Sequence, residues 1–193
     1  MQPLQASSTT SSVKSPESFV KRHRTLLATI LIVGAVLTPV ILYYVNYYDT
    51  SFNSVNGTTL SVVSVKRYIN YTTFLNVTFY LEASVATQGS LDTFVQFPVF
   101  HLIGGADSRV GFIGSGVVKD SVIITRTQSA IFSLTFRATD DTLTHYIAGT
   151  NPNYLNLSLY SVENAGMYQE VVTKTDSGNW TFSGNSPQGT RTP

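Results

Sequence analysis

The chain contains no cysteine in 193 residues. That removes disulfides, thiolate metal sites and thiol nucleophiles together, so a folded region must be held by packing and backbone hydrogen bonds. Charge is also scarce. Asp, Glu, Lys and Arg make up 12% of the residues, against about 25% in an ordinary soluble domain. The formal net charge is +1, which argues against a nucleic-acid partner. Three histidines occur: His23 sits in a basic cluster, while His101 and His145 have no ligand-spaced partner. Neither a metal site nor an acid–base pair is indicated. Asp140-Asp141 reads as a helix cap and not as a carboxylate dyad. Gly111-Phe-Ile-Gly-Ser-Gly116 is glycine-rich but runs into strand-like residues up to Thr125. A phosphate cradle opens a helix, so a bulged hairpin is the expectation there. No catalytic residue, cofactor, metal or small-molecule substrate is expected, and the chain does not read as an enzyme.

The largest positive feature is Thr25–Val45, 21 residues without a charge. About 20 apolar residues at helical rise cross a bilayer. Lys21-Arg22-His23-Arg24 precede it, and Tyr43, Tyr44, Tyr47 and Tyr48 lie at its far end before Asp49. Cationic flanks stay cytoplasmic and tyrosines favour the lipid–water boundary, so the N-terminus is expected inside and the C-terminal region outside. The run is longer than the apolar region of a signal peptide and lacks a small-residue cleavage site, which predicts a retained single-pass anchor. Pro39 predicts a mild kink. The expected division is a disordered tail over 1–24, a transmembrane helix over 25–48, a polar connector over 49–58, an outer domain over 59–183 and a loose tail over 184–193. The tail from 1 to 24 carries +3, and residues 49–193 carry eight basic and ten acidic groups.

Beyond the connector the apolar period becomes two. Leu75, Val77, Phe79, Leu81 and Ala83 alternate with Asn76, Thr78, Tyr80 and Glu82, the pattern of a half-buried strand. The same signature recurs over Phe132–Phe136 and Leu155–Leu159. Further strands are expected over Leu60–Val65, Phe94–Leu102, Val110–Val118, Ser121–Thr125, Met167–Thr173 and Trp180–Ser183. Turns are expected at Gln88-Gly-Ser90, Gly104-Gly-Ala-Asp107 and Asp176-Ser-Gly178. Pro98 marks its strand as edge or bulged. Asp140 to Gly149 has acidic caps, a terminal glycine and apolar Leu143, Tyr146 and Ile147, which predicts one short helix. The fold class is therefore mainly β: one transmembrane helix followed by a β-sandwich with one short helix.

Sequons stand at Asn56, Asn70, Asn76, Asn156 and Asn179, all on the expected outer side, and predict N-glycosylation. Val110–Phe136 (VGFIGSGVVKDSVIITRTQSAIFSLTF) resembles the late-embryogenesis-abundant group 2, or water-stress-and-hypersensitive-response, domain. The resemblance implies a seven-stranded sandwich of immunoglobulin or fibronectin type behind a membrane helix, and a family without catalytic residues. The resulting expectation is a glycosylated surface protein of a cell envelope or virion membrane. It would act as a structural or docking module, with the lipid bilayer, neighbouring surface proteins and further copies of itself as partners. Phe79, Leu134, Phe136, Leu157 and Leu159 are expected in the core, and Tyr80 and Tyr160 at contacts. The alternative is a filament subunit similar to type IV pilins, although Arg24 meets Thr25 where a processing site normally has a small residue.

Overall fold

A computed structural model describes residues 21, 23–71, 75–106, 109–138, 140–184 and 186–192. Of the expected disordered tail over 1–24, residues 1–20 and 22 lie outside the described residues, and Arg24 already belongs to a helix. The first element, α1 (Arg24–Asn56), runs uninterrupted through Pro39. The chain divides after Val45 into two units, a boundary inside this helix. In the first unit every side chain from Arg24 to Val45 is exposed, and the mean hydropathy of the most apolar window is 2.5. A helix apolar on all sides belongs either in a large core or in a membrane, and none of that window is buried. It is long and apolar enough to cross a bilayer.

The second unit begins with the last turns of α1. Ser51, Ser54 and Val55 are buried there, so the expected connector over 49–58 is instead helix through Asn56. Serine and asparagine suggested a linker by composition. Their side chains bond back into the helix: Ser51 Oγ donates to Tyr47 O at 2.7 Å and Ser54 Oγ to Thr50 O at 2.8 Å. The same hydroxyls accept from Met167 N at 3.3 Å and Leu91 N at 3.1 Å. Thr87 Oγ1 donates to Ser54 O at 3.0 Å, and Lys174 Nζ to Val55 O at 3.3 Å, which satisfies carbonyls at the helix end. Tyr168 meets Tyr48 and Phe52 edge-on at 5.6 and 5.1 Å. The helix end is thus keyed into the β domain by side chains of the domain itself.

Among the described residues nine strands follow, against the seven that the resemblance implies, in two antiparallel sheets. The small sheet has the order β1 (Thr58–Asn70), β2 (Asn76–Thr87), β6 (Ala130–Arg137). The large sheet has the order β4 (Arg109–Val117), β3 (Thr93–Ala106), β7 (Asn153–Ala165), β8 (Tyr168–Phe182), β9 (Gly189–Thr192), with β5 (Val122–Ile124) paired to the start of β3. Their inner faces meet in a core that includes Phe79, Phe100, Leu102, Leu134, Phe136, Leu157 and Leu159. The architecture is a mainly-β sandwich with one short helix, α2 (Asp141–Gly149). Asp140 caps α2, its side chain accepting from Leu143 N at 2.7 Å.

Pro98 lies in β3, a strand paired on both sides, yet the missing donor does no damage. The β3–β7 register slips between Gln96 and Val99, Phe97 takes φ 50°, and β3 exchanges its partner β5 for β4 at that point. Across β3, Leu102 pairs with Gly114 and Ile103 with Phe112, so Ile113 is an extra residue of β4, the expected bulge. Three expectations are corrected. Asp176-Ser-Gly178 is no turn but lies inside β8, which joins the two strands expected on either side. Asp176 serves pairing there, accepting from Val62 N at 2.7 Å and from Arg191 Nη1 at 3.0 Å. Gly104 and Gly105 fall within β3, where an added Cβ would collide with Ile113 and with the backbone of Arg109. The expected loose tail forms β9, registered on β8 from Asn179 to Phe182.

Two ionisable groups are drawn into the sandwich, Arg67 half-buried and Glu163 fully buried. Arg67 Nη1 donates to Ile147 O at 3.0 Å, Thr150 O at 3.1 Å and Asn153 Oδ1 at 2.6 Å, while its guanidinium lies 4.4 Å from the centre of the Phe182 ring. It ties the C-terminal end of α2 to both sheets, and burial lowers its pKa. Glu163 is wholly buried on the inner side of β7. Burial raises its carboxyl above the ordinary 4.5, while Thr58, Lys174 and Ser161 pull it back in part. A carboxyl raised in this way contributes stability that is complete below its unfolded pKa and lost as pH rises through the folded value. Urea unfolding at a series of pH values should therefore show Glu163→Gln gaining on the parent as pH rises from the ordinary carboxyl range through the folded value. A constant difference between the two proteins across the series would contradict this.

Candidate functional site

Alternation and register place a single set of side chains on the outer face of the large sheet. Reading across β4, β3, β7 and β8, the rows are Val117, Val99, Tyr160 and Thr173, then Ser115, His101, Ser158 and Thr175. Next come Phe112, Ile103, Asn156 and Ser177, and after them Val110, Gly105, Tyr154 and Asn179. Towards the other end follow Gln96, Val162 and Val171, and then Ile123, Phe94, Asn164 and Gln169. Among the described residues no Asp, Glu, Lys or Arg projects from this face. Several of its apolar side chains are well exposed: Val171 by 75%, Val117 by 69% and Phe112 by 57%.

The charges of the large sheet are elsewhere. Lys174 and Asp176 alternate to the inner side of β8, where they hold the helix end and β1. Arg191 is bound to Asp176 at 2.6 Å, and Arg109 lies over Tyr146 of α2 at 5.4 Å. The outer face is instead organised by aromatic contacts. His101 meets Phe112 edge-on at 5.8 Å and Tyr160 at 4.8 Å, a diagonal across three strands. This surface mixes apolar side chains with hydroxyls and amides and is suited to packing against another neutral surface.

The small sheet presents a different outer face. Lys66, Glu82 and Arg137 project from it, and Tyr68 and Tyr80 stack edge-on at 5.4 Å. Tyr80 and Tyr160, both expected at contacts, therefore lie on opposite sheets and do not form one site. His145 is exposed on α2 beside Asp141, 3.3 Å from its carboxylate. No group of His, Cys, Asp or Glu spaced to hold a metal ion is present among the described residues.

The sequon asparagines are dispersed. Asn56 ends α1 and is exposed, with Nδ2 donating to Phe52 O at 3.2 Å. Asn70 and Asn76 pair across β1 and β2 at the edge of a shallow depression also lined by Lys66, Tyr68, Thr78 and Tyr80. Asn179 is exposed on β8, and Asn156 is half-buried in the middle of the large outer face, its Oδ1 buried without a hydrogen-bond partner. Local sequence could not reveal the neutral face, because its rows join residues as far apart as Val99 and Thr173, 74 positions along the chain.

Neither a protein-family model nor a curated protein sequence matches the chain. Solved structures similar to part of this chain include the following three. A protein from Archaeoglobus fulgidus is 14% identical, with TM-score 0.37 over 64% of this chain and 98% of its own. The Northeast Structural Genomics Consortium target SoR45 is 12% identical, with TM-score 0.46 over 67% and 90%. Spo0M, a sporulation control protein from Bacillus subtilis, is 12% identical, with TM-score 0.40 over 64% of this chain and 48% of its own.

Proposed function

We propose that the chain is a single-pass membrane protein whose outer β-sandwich works by surface contact with neighbouring surface proteins, and not by catalysis. The observation that carries this reading is the neutral outer face of the large sheet, with exposed Phe112, Val117 and Val171. Exposed apolar surface of this extent raises the free energy of a lone domain and is favourable once another surface covers it. The apolar, exposed part of α1 supports attachment to a bilayer, and the basic Lys21–Arg24 flank supports an inner N-terminus. The resemblance over Val110–Phe136 agrees with a role without chemistry. Phe112→Glu together with Val117→Glu should leave folding intact and abolish co-migration with the native neighbours after mild solubilisation. Unchanged co-migration would remove this face as the docking surface.

Orientation has its own test. Protease added to intact cells or particles should digest the β domain and spare a fragment containing residues 1–45. A β domain protected until the membrane is broken would reverse the orientation. N-glycans are proposed at Asn56, Asn70 and Asn76, which stand at element ends away from the large outer face. Mass spectrometry of native peptides should find sugar on some of these three, and three bare asparagines would reduce the cluster to composition.

A further inference from the structure

We infer that the surface covering the large outer face is the same face of a second copy of this chain, packed sheet on sheet about a two-fold axis. The inference rests on the docking reading above and names its partner. Size is the first argument. β7 has 13 residues, so at about 3.3 Å per residue and about 4.8 Å per strand four strands offer about 800 Å². A standard stable interface buries about 800 Å² on each partner, so one copy of this face supplies the whole of one side.

Charge is the second argument. A charged partner surface would lose its hydration here and find no counter-charge, a cost that a neutral surface does not incur. A second copy brings no charge and suffers no like-charge repulsion. Chemistry supplies the third. A two-fold interface requires one surface to complement itself. The exposed aliphatic and aromatic groups can meet their own kind, and the exposed hydroxyls of Ser115, Thr173 and Thr175 each carry both a donor and an acceptor. Anchoring to a common membrane also raises the effective concentration of one copy near another.

A consequence concerns the sequon at Asn156. A glycan there would stand in the middle of the face and hold the copies apart, so modification at this position and self-association exclude each other. Asn156 should be unmodified in the associated form.

The natural absence of cysteine allows a direct test with the full-length protein in its native membrane. Thr173→Cys places one thiol on the large face, and Thr135→Cys places one on the outer face of the small sheet; both threonines are exposed. A flexible bismaleimide should yield a crosslinked dimer from position 173, little or none from position 135, and loss of the dimer when Phe112→Glu is added. Benzophenone maleimide at position 173 captures any other neighbour. An adduct with a different protein in place of the dimer overturns the second copy and leaves the docking reading standing. No adduct by either reagent overturns both. Equal dimer from positions 173 and 135 also overturns the proposal, because such pairing is not specific to the face.

Discussion

Phe79→Ala is expected to lower the unfolding free energy of the β domain by about 3–5 kcal/mol, a large part of the roughly 5–15 kcal/mol that a domain possesses. Phe79 is fully buried on β2, pairs in register with Phe136 of β6 and lies 6.4 Å from the Phe182 ring of β8. It therefore contacts both sheets, and its removal leaves a cavity that neither sheet can fill by shifting alone. The rings on either side are fixed by the strand registers, so collapse into the space is limited. The measurement is urea unfolding of the full-length protein in detergent. Trp180, the single tryptophan, is 4% exposed and reports core exposure by fluorescence. A loss under about 1 kcal/mol would place the residue outside a close-packed core.

Gly89→Val is expected to free the end of α1 from the β domain. The backbone of Gly89 lies against Ser54, and a Cβ there would overlap Ser54 Cα, so the helix must move or the β2–β3 connection must open. Overpacking of this kind costs about 1–3 kcal/mol, and here the clash is with backbone and cannot be relieved by a rotamer change. Hydrogen exchange at the amides of residues 51–55 should accelerate while the amides of β7 stay protected. Gly149→Ala is the control, since nothing lies within 4 Å of its added methyl. Equal protection of residues 51–55 in both variants would show that this contact does not hold the helix end.

Much of the sandwich was legible in the sequence because its strands are wet on one side. Over Leu75–Ala83 and Phe132–Phe136 the alternation of apolar and polar residues states both the element and its inner face, and the structure buries Val77, Phe79, Leu81, Phe132, Leu134 and Phe136 accordingly. The short helix was legible through its cap and terminal glycine. Composition misled where polar residues do structural work. Ser51 and Ser54 resemble a linker, yet their small size lets Gly89 and Gly166 approach the helix. Asp176-Ser-Gly178 resembles a turn, yet the aspartate binds Val62 and Arg191 across neighbouring strands. The neutral face was illegible for a different reason. Phe112, His101 and Tyr160 become neighbours only through the order β4–β3–β7, and the registers that pair them depend on the slip at Phe97 and the extra Ile113. The lack of charge was visible in the composition, but not that it was gathered on one side.

That this face is covered in the native membrane is the central claim, and thiol accessibility tests it most directly. A membrane-impermeant maleimide applied to intact cells or particles carrying Thr135→Cys or Thr173→Cys reports the two outer faces separately. The account predicts ready labelling at position 135, protection at position 173, and equal labelling of the two once the protein is dispersed in detergent at high dilution. Equal and rapid labelling at both positions in the intact membrane would show an uncovered face and contradict it.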